Sequence, residues 1–159
     1  MDAKKVYSVP VKVAPEAIII WCSDPRFQKA IMAFVSDELK LAPGAYVPFT
    51  VAGGPGALGR PTELPKEFKF MKDRLDLFKE HFSSIKRVII INHEDCAYYK
   101  MVSGKLGSLL PFHKHLECDD MKLIKSVFQK LLSHLGMKLE LYYAKFVDES
   151  HTQITIEPA

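Results

Sequence analysis

Two short segments of the chain carry residue types from which chemistry can be built: Cys22-Ser23-Asp24-Pro25-Arg26 and His93-Glu94-Asp95-Cys96. Each follows a run of apolar, mostly β-branched residues, Ala17-Ile18-Ile19-Ile20-Trp21 before the first and Val88-Ile89-Ile90-Ile91-Asn92 before the second. Unbroken runs of this kind read as strands buried on both faces. Two such strands deliver two thiols and an imidazole from their ends. Cys22, His93 and Cys96 make a three-ligand set for Zn2+, and three protein ligands leave a fourth position open for chemistry. A lone cysteine after a strand is usually a small core residue. The His-x-x-Cys spacing, which suits two ligands on one turn, together with a cysteine at a second strand end, favours a metal.

Asp24 and Arg26 sit beside Cys22. A carboxylate there has two possible jobs. It can take the open metal position and close the site. It can instead pair with Arg26, whose planar fork matches a carboxylate in bidentate fashion, and accept a hydrogen bond from water at the metal. The plain alternative is a surface ion pair worth little. Cys118, in a polar stretch, reads as incidental. His113 and His115 read as solvated loop histidines. The glycines from Gly53 to Gly59 lack the Gly-Lys-Ser/Thr ending of a phosphate-binding loop.

The elements that must position these residues follow from periodicity. Strands are expected at 16–21, 45–51, 87–92 and 138–146, with a short edge strand over 152–156. Helical stripes are drawn by Phe27, Ile31, Phe34, Val35 and Leu39, by Phe68, Met71, Leu75, Phe78 and Phe82, and by Met121, Ile124, Phe128, Leu131 and Leu135. Asp119 or Asp120 is expected to cap the last helix and Gly136 to end it. Between Gly53 and Pro65, four Gly and three Pro in thirteen residues mark a loop. Strands alternating with helices give an α/β class, a single domain with a mostly parallel central sheet flanked by helices. In such sheets ligands bind beyond the carboxyl ends of the strands, which is where Cys22 and His93 fall.

Composition narrows the function classes. At 159 residues the chain is one domain, read as an N-terminal arm over 1–15 and a metal-binding domain over 16–159. The net charge is only +3, with basic and acidic residues interleaved, so no stripe for nucleic acid is expected. The apolar runs are too short to span a bilayer, and no secretory stretch follows Met1. Three cysteines are too few for a disulfide framework; a reducing cytoplasm is the expected setting.

With these residues assembled, the chain resembles the β-class carbonic anhydrases. Their signature, Cys-x-Asp-x-Arg followed much later by His-x-x-Cys, is complete in Cys22, Asp24, Arg26, His93 and Cys96. Leu41-Ala42-Pro43-Gly44-Ala45-Tyr46-Val47 resembles the family's turn into its second strand. Val51-Ala52-Gly53-Gly54 resembles its Asn-Ala-Gly-Gly motif, and Tyr142 to Asp148 its last core strand. The chain departs from the family at Thr50-Val51, where Arg-Asn is usual, and at Ala97-Tyr98, where Gly follows the second cysteine. Tyr98 and Tyr99 either pack in the core or an interface or reshape the pocket above the metal.

The resemblance implies reversible hydration of CO2 to bicarbonate by zinc-bound hydroxide. It implies catalytic roles for Asp24 and Arg26, and Zn2+ on Cys22, His93 and Cys96. The substrate pocket would be walled by Val51, Ala52 and Gly53, with Phe27 or Tyr98 as further candidates. The basic unit would be a homodimer, with the arm lying across a second copy. The departures keep two rivals open: hydrolysis of a related small molecule, CS2 or COS, and a zinc-binding relative without catalysis.

Overall fold

The computed structural model describes residues 5–106 and 116–159, the side chains of 103–106 and 116–119 excepted. Its centre is one five-stranded sheet: β1 (Ala17–Cys22), β2 (Tyr46–Val51), β3 (Arg87–His93), β4 (Lys138–Phe146) and β5 (Ile154–Pro158), in the spatial order β2-β1-β3-β4-β5. The first four strands run parallel, and β5 returns antiparallel along β4. Among the described residues four α-helices lie between them: α1 (Pro25–Asp37), α2 (Pro65–His81), α3 (Ala97–Leu106) and α4 (Leu116–Leu131). The expected class and mostly parallel sheet are what is found.

The isoleucine runs explain why β1 and β3 take the middle. Ile18, Ile19, Ile20, Ile89, Ile90 and Ile91 are all 0% exposed, a state open only to strands covered on both faces. Alternation sorts them. Ile19, Trp21, Ile89 and Ile91 face the α1 stripe of Phe27, Ile31 and Val35. Ile18, Ile20, Val88 and Ile90 face Met71 and Leu75 of α2 and Met121, Ile124 and Phe128 of α4. Each isoleucine so buried contributes roughly 1.5–3 kcal/mol.

The order of strands sets the site. From β1 the chain moves outward to β2 by way of α1. From β2 it jumps back across β1 to β3 by way of α2, on the opposite face. Right-handed crossovers in opposite directions require opposite faces. The direction reverses between β1 and β3, and a crevice opens at the carboxyl ends of those two strands.

Four local expectations change. Asp119 and Asp120 do not cap α4, which starts at Leu116; Asp120 lies inside the helix, fully buried, because it pairs with Arg60. α3 was not anticipated. The loop after β2 holds a short 3-10 turn, Gly56–Gly59, and is buried from Gly53 to Arg60. Gly136 does take the left-handed conformation, but it ends a 3-10 turn over Ser133–Leu135 rather than α4 itself. His113 and His115 lie outside the described residues, as does the side chain of Cys118. No helix among the described residues is long and apolar enough to cross a membrane.

Candidate metal centre

Cys22 is the last residue of β1 and His93 the last of β3, each one position inside the strand rather than just beyond it. Alternation alone would send them apart, Cys22 in series with Ile18 and Ile20, His93 with Ile89 and Ile91. At the strand ends they converge. The chain turns sharply after His93, with Asp95 at φ 59°, and brings Cys96 back over the sheet edge. One ligand atom from each of Cys22, His93 and Cys96 then lies within 4.8 Å of the others, and all three residues are buried.

The donor geometry suits a tetrahedral ion. The two sulfurs are 3.7 Å apart and are not joined in a disulfide. Zinc–sulfur bonds of about 2.3 Å opened to a tetrahedral angle place two sulfurs about 3.8 Å apart. His93 Nδ1 is engaged with the Glu94 carbonyl at 2.7 Å, which leaves Nε2 as the nitrogen available to an ion. Nε2 is buried and has no hydrogen-bond partner among the described residues. A buried ring nitrogen in that condition costs free energy unless something fills its coordination. The residues therefore fit a soft divalent cation such as Zn2+. The Phe27 ring lies 4.1 Å from the imidazole, centroid to centroid, and helps fix its plane.

One thiol of the pair is poised to shed a proton and the other to keep it. The Cys22 thiol is lowered to about 4, chiefly by the hydrogen bond from Cys96, against the cost of burial and with help from His93. Cys96 is pushed up by the neighbouring Cys22 sulfur and by burial. The pair shares one negative charge readily and a second only when a cation is present.

Asp24 caps α1, accepting from the Arg26 backbone N–H at 3.0 Å, and Pro25 occupies the first helical position, where no N–H is needed. The Arg26 side chain holds the same carboxylate by a fork, Nη2 to Oδ2 at 2.8 Å and Nε to Oδ1 at 3.1 Å. Arg26 lowers Asp24 below the ordinary carboxylate range. The carboxylate is thus paired with the guanidinium in bidentate fashion.

Sequence reasoning missed the second carboxylate on Arg26. Asp95 Oδ2 accepts from Nη1 at 3.0 Å and the Asp95 carbonyl from Nη2 at 3.1 Å, while Lys100 pairs with the other Asp95 oxygen. The only available signal was a carboxylate between the two spaced ligands. Gln28 was also missed. Its amide donates to the Cys22 and Asp24 carbonyls, at 2.9 and 2.8 Å, and accepts from Trp21 Nε1, clamping the turn that carries Cys22 and Asp24. Glu94 ties the His93 turn to β4 by accepting from the Phe146 N–H at 2.8 Å.

The wall residues divide. Val51 and Ala52 line a cavity of about 310 Å³ with Gly54, Ala57, Phe70 and Met71, while Gly53 lies against the Tyr98 ring instead. Tyr99 clusters with the two cysteines, and Tyr98 packs against that cluster. Behind them, Asn92 Nδ2 donates to the Tyr99 hydroxyl at 3.1 Å, and Asp120 and Gly56 approach that hydroxyl from the far side. Burial first, then the Asp120 charge, pushes Tyr99 well up, so it stays a neutral phenol.

With the arrangement in view, comparison with solved structures is informative. A β-carbonic anhydrase, isoform I of the protozoan Trichomonas vaginalis, superposes with a TM-score of 0.51 over 96% of this chain and 87% of its own, at 16% identity. The chain has the β-carbonic-anhydrase fold. Tetrameric β-carbonic anhydrases of the ascomycete Sordaria macrospora align over 91% of this chain and 81% of theirs, at 15% identity and a TM-score of 0.46. No family model matches the sequence, and no curated protein matches it. The likeness therefore lies in the fold, and chemistry has to be argued from the site.

Proposed function

We propose that the protein is a zinc-dependent carbonic anhydrase of the β class, interconverting CO2 and water with bicarbonate and a proton. The observation that carries the reading is the donor set itself: two sulfurs at a tetrahedral edge distance and a buried imidazole nitrogen without a partner, beside a carboxylate already held by an arginine. Zn2+ on Cys22, His93 and Cys96 would supply hydroxide at neutral pH by bringing the pKa of bound water to about 7.

The chain's own residues do the rest. Asp24, its carboxylate held in place, would accept a hydrogen bond from a hydroxide supplied there and orient it. Arg26, by pairing with Asp24, would keep that carboxylate from competing for the metal, and Asp95 pairs with the same guanidinium and holds Arg26 in place. The apolar wall of Val51 and Ala52 suits an uncharged substrate.

The test is to measure metal content and CO2 hydration in three variants. Cys22→Ser should lose the metal. Arg26→Ala and Asp24→Ala should keep stoichiometric zinc and lose rate by about a hundredfold, the cost of a misplaced reacting group. Variants as fast as the wild type would reduce the pair to a surface ion pair.

The same reading extends to assembly. Val6, Tyr7, Val9 and Val11 of the arm are 75–98% exposed, an apolar strip with nothing to cover it on its own chain among the described residues. A second copy in a C2 dimer is the occupant we propose. Light scattering should give twice the 18.0 kDa chain mass, and a monomer at micromolar concentration would contradict it. A reducing cytoplasm, which keeps both cysteines free for the metal, is the compartment that fits.

A further inference from the structure

The two residues after Cys96 and its neighbour Ala97 behave differently, although both are tyrosines. Tyr99 turns inward, is 4% exposed and spends its hydroxyl on Asn92. Tyr98 meets it edge to face, centroids 5.8 Å apart, and points elsewhere. One side of Tyr98 packs against the buried cluster of Cys22, Cys96 and Tyr99. The other lines the 310 Å³ cavity with Val51, Ala52, Phe70 and Met71.

The rest of the partition is glycine backbone. Gly54 also lines the cavity, and a Cβ built on it would stand 2.9 Å from the Cys22 nitrogen, so its far side is the metal-bearing strand end. Gly53, at φ +79°, gives the Tyr98 ring its room: a Cβ there would fall 2.3 Å from Cδ1. One phenol ring and two glycines thus stand between an apolar cavity and the Cys22-His93-Cys96 centre. The cavity is about ten times the roughly 30 Å³ that a water molecule occupies in the liquid, and its lining is apolar apart from Lys66 and Glu67. It has room for an uncharged molecule much larger than CO2.

We infer that Tyr98 determines which molecules reach the centre: its ring separates the apolar cavity from the cysteine–histidine site, so that triatomic molecules pass and larger uncharged apolar molecules stop in the cavity. This rests on the zinc reading above and adds a size limit to it. It also gives the departure from glycine after the second cysteine a physical role. A residue without a ring at position 98 would join the two spaces into one.

Zinc itself can report the partition, independently of turnover. The probes are 1,10-phenanthroline, planar, uncharged and apolar, and EDTA, polyanionic, each in excess over zinc-loaded protein. Tyr98→Ala should speed zinc transfer to phenanthroline by about tenfold or more while the rate to EDTA changes by less than about threefold, because only access through the apolar cavity has been opened. Tyr98→Phe, which keeps the ring, should match the wild type with both chelators. Should the alanine variant fail to fold, Tyr98→Leu, shorter than the ring but still apolar, carries the comparison with the same expectation. Equal acceleration of both chelators would mean general loosening and would overturn the inference, as would an unchanged phenanthroline rate. The two readings fail separately: protein purified without zinc sinks the metal centre and the partition together, whereas zinc-loaded protein with chelation indifferent to position 98 sinks the partition alone.

Discussion

Removing the Asp120 carboxylate should cost a large part of the protein's stability, although Asp120 is not among the residues proposed to touch the metal or the substrate. Its side chain is 0% exposed, and that of its partner Arg60 is 8% exposed, with the contact at 2.5 Å. The pair fastens α4 to the buried Gly56–Gly59 turn, where Gly59 approaches Leu123 and Ile124 closely enough that no Cβ would fit without movement. Asp120→Ala leaves a guanidinium buried with its counter-charge gone. Breaking a buried pair from one side costs about 3–5 kcal/mol, against a total stability on the order of 5–15 kcal/mol. With a urea slope of about 2 kcal/mol/M, the midpoint should fall by about 2 M. The assay is urea unfolding of zinc-loaded protein followed by fluorescence of Trp21. Arg60→Met alone should cost a similar amount. Arg60→Met with Asp120→Leu should recover most of it, because an apolar pair of similar volume needs no counter-charge. A midpoint shift below about 0.5 M for Asp120→Ala would refute the reasoning, since it would mean that water reaches Arg60 freely.

Two further outcomes are expected. Gly53→Ala should destabilise by about 2–4 kcal/mol, from the positive φ and from the collision with Tyr98, and the collision part should vanish in a Tyr98→Ala background when the two are compared by urea unfolding. Glu140, held by Arg87 and then by Lys138, is lowered from its ordinary 4.5. A depressed carboxylate contributes stability above its unfolded pKa and loses it as pH falls through the folded one. Stability of the wild type should therefore decline below about pH 4.5 more steeply than that of Glu140→Gln, as read from thermal midpoints between pH 3 and 6; parallel declines would contradict the assignment.

Much of this fold could be read in the chain, and the limits have physical causes. The isoleucine runs identified β1 and β3 because strands buried on both faces can carry little else, and the stripes of α1 and α2 were found because each packs one face on the sheet. α3 escaped because Tyr98, Tyr99 and Val102 make too short a stripe to stand out, and the two tyrosines pack at the cysteine cluster rather than on the sheet. The start of α4 was misplaced because an aspartate near a helix start normally caps it, whereas Asp120 answers to Arg60, sixty positions away. The site shows the same division. Cys22, His93 and Cys96 could be named from spacing and strand ends, and the structure brings them together. The second carboxylate on Arg26, the Gln28 clamp and the opposite orientations of Tyr98 and Tyr99 depend on contacts between distant segments, which a local pattern does not encode.

The central claim is that the Cys22-His93-Cys96 centre holds zinc for hydration of CO2. The most direct measurement is a stopped-flow CO2 hydration trace on protein whose zinc content has been determined in the same preparation. The account expects one zinc per chain and a hydration rate that follows zinc content, falling when the metal is chelated and returning when zinc is restored. One zinc per chain with hydration no faster than buffer would contradict it.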